Sequence, residues 1–256
     1  MADSPPLIGL GAADELLGDV VPTGWLALLE GSAGSGTTLF AKQFAQAVLP
    51  NTPVLFYTSY ETTPEVLRAF ADHGWTTEGL TVVNLGDEYY ERVLRRDLEI
   101  SRTRDHGLRL DDLRESSPTP VRRRPYNLEN RLLADLASID RPFRLVLDSV
   151  DFLLEVLTAS EVMVVARQIR HLCQQYHGQS MLVLQSNVHE RRVQGTLEEM
   201  ADLLFDLGAE QTTQGTEHVL SIRKVVNHPD RTIQLPVRAT PKGLEASPRS
   251  GKGRAP

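Results

Sequence analysis

Eight consecutive residues, Gly31-Ser32-Ala33-Gly34-Ser35-Gly36-Thr37-Thr38, satisfy the pattern G-x-x-x-x-G-K-[ST] at every fixed position except the lysine. Glycines at these spacings let the backbone curl until successive N–H groups converge. Converging N–H groups at the start of a helix hold phosphate oxygens. The Thr38 hydroxyl then faces the place of a Mg²⁺ ion that accompanies the phosphates. A Gly- and Ser-rich strand-to-helix turn with no ligand is the plain alternative, and the order of elements around the loop speaks against it.

Position 37 is the departure. A lysine there would set a point charge between the two outer phosphates, whereas Thr37 offers a neutral hydroxyl. One such charge in phosphoryl transfer is worth on the order of 10³–10⁵ in rate, so weakened binding and still weaker hydrolysis are expected. Only four of the 27 basic residues are lysines, namely Lys42, Lys224, Lys242 and Lys252, which narrows the search for a substitute. Lys42 lies roughly 7.5 Å further along the helix than Thr37 and about 140° round its axis. It is expected to be a solvated helix residue that does not compensate.

Two carboxylates complete the chemistry. Phe143–Ser149 is an apolar strand ending in Asp148, whose carboxylate would bind a water ligand of the metal at the strand's C-terminal edge. Asp151 reads as a loop or helix-capping acid. Glu61, just past an earlier strand, stands where a carboxylate could polarise an attacking water, although a helix N-terminal acid would look the same in sequence.

The elements that must position these residues alternate along the chain. Strands are expected at Trp25–Glu30, Pro53–Ser59, Leu80–Leu85, Phe143–Asp148 and Ser180–Ser186, with helices at Thr38–Leu49, Pro64–His73, Asn127–Ile139 and Ser160–Tyr176. This is an α/β pattern with a mainly parallel sheet flanked by helices. Leu203–Leu207, Glu217–Arg223 and Thr232–Val237 follow with short connections, predicting antiparallel strands at the C-terminal edge.

One domain over residues 1–244 suits the 256-residue length. Arg92–Arg124 carries ten arginines against six acidic residues, and Arg102–Arg124 is expected to be a mobile insertion. Residues 245–256 are expected to form a disordered tail. No apolar run is long enough for a membrane span, and no secretory signal opens the chain, so a cytoplasmic location is expected. The formal net charge of −7 argues against broad capture of nucleic acid. Cys173, the only cysteine, falls in an apolar helical pattern and is expected to be buried and inert. No zinc motif occurs among the histidines.

Gly9–Gly24, leading into the loop, resembles the corresponding stretch of KaiC and RadA-like ATPases. Tyr57–Pro64 is similar to a segment with a glutamate pair, with Glu61 matching the catalytic member and Thr62 replacing the other. Leu145–Leu154 resembles the Walker B strand with its serine. Thr196–Leu207 is similar to the acidic helix and strand after the sensor loop, and Ser186 or Asn187 would fall near the γ-phosphate. The likeness runs from Gly9 to Leu244 with the insertion interrupting it. It implies a RecA-like P-loop fold, ATP and Mg²⁺ as ligands with Thr38 and Asp148 at the metal, and assembly into a homo-oligomer with nucleotide between subunits. In such rings a basic finger reaches the neighbour's γ-phosphate. Ile222–His228 resembles that finger, with Lys224 retained and the arginine two positions later replaced by Val226.

With the loop lysine, one glutamate and one finger arginine replaced, the expectation is a nucleotide-binding regulatory or signalling domain with weak or lost ATPase activity. Two alternatives remain. An active ring ATPase would use Lys224 from a neighbour, and a RadA-like accessory of DNA recombination would use Arg191, Arg192 and the arginine-rich insertion.

Overall fold

Trp25–Gly31 forms β1, and all seven residues are buried. A strand sends successive side chains to opposite faces, so β1 feeds two cores. Ala27 and Leu29 join one with Phe40, Phe44, Val66 and Phe70. Leu26 and Leu28 join the other with Leu132, Phe152, Ile169 and Leu197. A strand apolar on both faces must lie centrally between helical layers, and that is where β1 sits.

The computed structural model describes residues 7–18, 20–47, 51–91, 128–212 and 215–246. In chain order, α1 (Gly11–Leu17), β1, α2 (Thr37–Gln46), β2 (Val54–Thr58), α3 (Thr63–Asp72) and β3 (Leu80–Asn84) come first. A helix α4, described over residues 85–91, follows. Next are α5 (Leu128–Ala137), β4 (Arg144–Asp148), α6 (Val150–Val156), α7 (Ala159–Tyr176), β5 (Gln179–Gln185) and α8 (Arg191–Met200). The chain then runs through β6 (Leu203–Thr212), β7 (Gly215–Val225), β8 (Ile233–Thr240) and β9 (Gly243–Ala246).

Among the described residues, nine strands make one sheet in the order β3-β2-β4-β5-β1-β6-β7-β8-β9. Its first six members pair in parallel, and β6 to β9 pair antiparallel. The expected parallel sheet with an antiparallel edge is therefore present. Differences are local. The β6–β7 hairpin is longer than its apolar residues suggest, and β9 includes Glu245 and Ala246 beyond the expected end of the domain. The helices α1 and α6 are too short to show a period in sequence. The expected insertion at Arg102–Arg124 and the residues from Ser247 onward lie outside the described residues.

Two buried side chains fasten the rear of α2. Arg144, at the start of β4, donates to the carbonyls of Phe44 (2.7 Å) and Ala47 at the helix C-terminus and to Gln179, with its guanidinium 4.4 Å from the Phe44 ring centroid. Carbonyls left over at a helix end need such donors. Burial lowers the Arg144 pKa to about 9, and Asp14 opposes that shift. Gln43 donates from Nε2 to the carbonyls of Gly9 (2.6 Å) and Leu244 (2.9 Å) and accepts from Leu244 N (2.6 Å). Cys173 is buried as expected, its thiol 2.9 Å from the Ser180 hydroxyl and pushed up to about 12 by burial. Among the described residues no helix is long and apolar enough to cross a membrane.

Candidate functional site

Because β1, β2, β4 and β5 run parallel, their C-terminal ends share one edge of the sheet, the usual place for a ligand in an open α/β fold. Gly31, Thr58, Asp148 and Gln185 end those strands. The segment from Gly31 to Thr38 turns there from β1 into α2. Gly34 and Gly36 have φ of +81° and +97°, a left-handed conformation that side chains disfavour. A Cβ on Gly31 would come within 2.5 Å of both the Ser35 hydroxyl and the Thr37 methyl. The sequence thus folds this way because glycine is required at these positions. Gly36 caps α2 with no side-chain hydrogen bond to the first amides, which leaves them open to a ligand.

Neighbouring strand ends hold the loop and the carboxylates in place. Ser186 N donates to Gly31 O at 3.0 Å. Asp148 O accepts from Ser59 N at 2.8 Å. Glu61 is fixed through its backbone, since its N–H donates to Thr58 Oγ1 (3.2 Å) and its carbonyl accepts from Asn84 Nδ2 (2.9 Å). Thr62, in place of the expected second glutamate, caps α3 in a reciprocal box with Glu65. Those bonds, with Thr62 itself, hold the Glu65 carboxyl below its usual range. Asp151, in the first turn of α6, accepts from Gln185 N and lies 2.6 Å from His189 Nε2. That contact joins α6 to the loop after β5 and gives His189 a partner within the chain.

Thr38, Asp148 and Glu61 come together as the sequence implies. Burial raises the Asp148 carboxyl to about 6, opposed by the Lys42 charge and a hydrogen bond from Thr38 and reinforced by Glu61. Lys42 is the correction. Far from being solvated, it is 4% exposed, and its Nζ lies 2.8 and 2.6 Å from the two carboxylate oxygens of Glu61. The expectation measured Lys42 from Thr37. The relevant neighbour is Thr38, four residues away and hence on the same face, and a long helical side chain leans toward the N-terminus. That i, i+4 relation put Lys42 on the loop's face, although the sequence does not show that the face meets Glu61.

Lys224 does not join this group. Its Nζ donates to the carbonyls of Glu198 (3.0 Å) and Glu199 (2.8 Å) at the end of α8. Arg223 reaches Glu30, the residue before the loop, and with Ser186, Asn187, Gln194 and Asp206 these line a polar crevice of about 450 Å³. Sequence reasoning did not single out Glu30, whose carboxylate sits in an otherwise apolar strand.

The donor set fits the expected ligands. Thr38 and Asp148 offer the hard oxygens that Mg²⁺ prefers. The hydroxyls of Ser35 and Ser186, at the same edge, are buried without a hydrogen-bond partner, and a phosphate oxygen would satisfy either. Among the described residues no group of three or more His, Cys, Asp or Glu could hold a metal alone. Mg²⁺ bound with phosphates takes only one or two protein ligands.

The family model described as "ATPase: KaiC" matches residues 8–250. Among solved structures the chain is similar to the crystal structure of a KaiC-like protein from the hyperthermophilic archaeon Pyrococcus horikoshii OT3. Identity is 20% and the TM-score 0.60, with 94% of this chain and 97% of that chain covered. At that identity the likeness speaks for the fold, which is the expected RecA-like one. A search of curated proteins by sequence gives no match.

Proposed function

The chain belongs to the KaiC ATPase family, and from that premise we propose that it binds ATP through Gly31–Thr38 and hydrolyses it weakly or not at all, in a regulatory or signalling role. Mg²⁺ would be held at Thr38 and Asp148, where it would supply charge neutralisation for the outer phosphates. One observation carries the reading: the loop is complete in its glycines but neutral at Thr37, while both oxygens of Glu61 are engaged by Lys42. A carboxylate tied on both oxygens is a poor base toward water. The loop meanwhile lacks the charge that steadies the transferring phosphoryl group.

Self-association in the cytoplasm is part of the proposal and rests on the family likeness. A neighbour's Lys224 as the missing charge is less favoured. It would have to leave two carbonyls of α8, and Arg223 beside it is bound to Glu30. DNA binding through Arg191 and Arg192 is likewise not favoured, given the acidic net charge of −7.

Calorimetry with ATP and a turnover assay on wild type beside Thr37→Lys test the reading. Wild type should bind ATP and turn it over slowly or not at all, and Thr37→Lys should bind about tenfold more tightly, equivalent to ~1.4 kcal/mol. Absence of ATP binding in both proteins rejects it.

A further inference from the structure

Lys42 is a buried lysine whose ammonium lies at the functional edge, on an element whose first turn carries Thr37 and Thr38. A solvated role is excluded by its burial, and an ordinary core role does not place a charge between two carboxylates. Its contacts are specific: Nζ sits 2.6 Å from Glu61 Oε2 and 2.8 Å from Oε1. Asp148 also lies in its field, with Thr38 hydrogen-bonded to Asp148. Glu61 and Asp148 therefore share one cationic group that comes from the second turn of the loop's own helix.

An ammonium has three N–H donors. Glu61 accounts for two of them, so one is left over beside Asp148, whose carboxylate feels the Lys42 charge. Building on the nucleotide-binding reading above, we propose that Lys42 is the γ-phosphate-binding residue of this chain, donating its third N–H to a terminal phosphate oxygen while Glu61 holds the other two. The positive charge that Thr37 withholds from one side of the phosphates is supplied from the other. Glu61 then acts as a positioning residue for Lys42, which explains why a glutamate aligned with the water-activating position is bound on both oxygens.

A purely structural Lys42, present only to offset Glu61, makes a different prediction, and a double-variant comparison separates the two. Glu61→Gln removes the charge that needs offsetting, and adding Lys42→Leu to it leaves no unpaired carboxylate at position 61, which protects the fold. ATP and ADP affinities, each with Mg²⁺, are measured by calorimetry for wild type, Glu61→Gln and Glu61→Gln/Lys42→Leu, with thermal melts as the check on folding. Loss of Lys42 in the Glu61→Gln background should weaken ATP at least tenfold and ADP less than threefold, because only ATP carries the γ-phosphate. Equal ATP affinity in the two variants, or equal loss for ATP and ADP, overturns the assignment. Should the double variant fail to fold, Lys42→Arg in otherwise wild-type protein serves: it keeps the charge but moves the donors, and an unchanged preference for ATP over ADP would overturn the proposal. Failure of wild type to bind either nucleotide removes the nucleotide-binding reading itself, a result distinct from all of these.

Discussion

Arg223 on β7 reaches across β6 to set its Nη1 2.7 Å from Oε2 of Glu30 on β1, a glutamate only 1% exposed. Gln194 Nε2 donates to the other oxygen at 2.8 Å, while Glu198 and Asp206 crowd the same crevice with like charge. Burial, with Glu198 next in weight, raises the Glu30 carboxyl from 4.5 to about 7.

A raised carboxyl pKa means that the folded state favours the protonated form. The stabilisation is complete below the unfolded value of 4.5 and is lost as pH rises through about 7. Glu30→Gln lacks that titration. Its stability relative to wild type should therefore improve by about 2 kcal/mol between pH 5 and pH 8. Urea unfolding of both proteins at the two pH values measures this, and a pH-independent difference would contradict it.

Ser35 carries a buried hydroxyl with no partner. An unmet polar group costs the free protein, so Ser35→Ala should leave stability unchanged or raise it by up to about 1 kcal/mol. If the hydroxyl is held for a phosphate, the same change should weaken ATP about three- to tenfold, as expected for ~1 kcal/mol of hydrogen bonding. Thermal melts and nucleotide titration give the two readouts, and a loss of stability with unchanged affinity would contradict the assignment.

Moving the charge rather than adding one should restore catalysis. Thr37→Lys alone supplies the loop charge but leaves Glu61 bound to Lys42. Thr37→Lys/Lys42→Leu supplies it and frees Glu61 to meet a water. The double variant should turn over ATP fastest of the four combinations, on the order of 10²-fold above wild type, a typical contribution from a general base. Adding Glu61→Gln should return it to the wild-type level. Steady-state phosphate release measures each, and turnover in the double variant no faster than in Thr37→Lys would count against a tethered Glu61.

Much of the frame was legible because its signals are local. Strand ends, glycines and the order of elements carry their own spacing, so Gly31–Thr38 and Asp148 could be placed along the chain before any fold was known, whereas Glu61 alone reads as a helix N-terminal acid and took its role from the family resemblance. The short helix α6 and the strand β9 were missed because seven and four residues show no period. Lys42 was misjudged for a different reason: its partner is Glu61, nineteen residues away in the connection between β2 and α3. Helix periodicity reports which residues share a face but not what that face meets. Lys224 likewise meets the end of α8 within its own chain, a contact that no spacing along the sequence shows.

Gln43 has a consequence for the order in which the protein is completed during synthesis. Its amide joins α2 to Gly9, 34 residues earlier, and to Leu244, 201 residues later. A chain emerging from the ribosome presents the loop and its helix well before β9, yet the side chain that secures the helix finds two of its three bonds only when β9 arrives. Until then the Gln43 amide is short of partners in a position destined for the core, where an unmet polar group is costly. The helix that bears the phosphate loop is thus made well before the strand that fastens it. A nascent chain truncated before Leu244 would carry the loop's sequence without its full support.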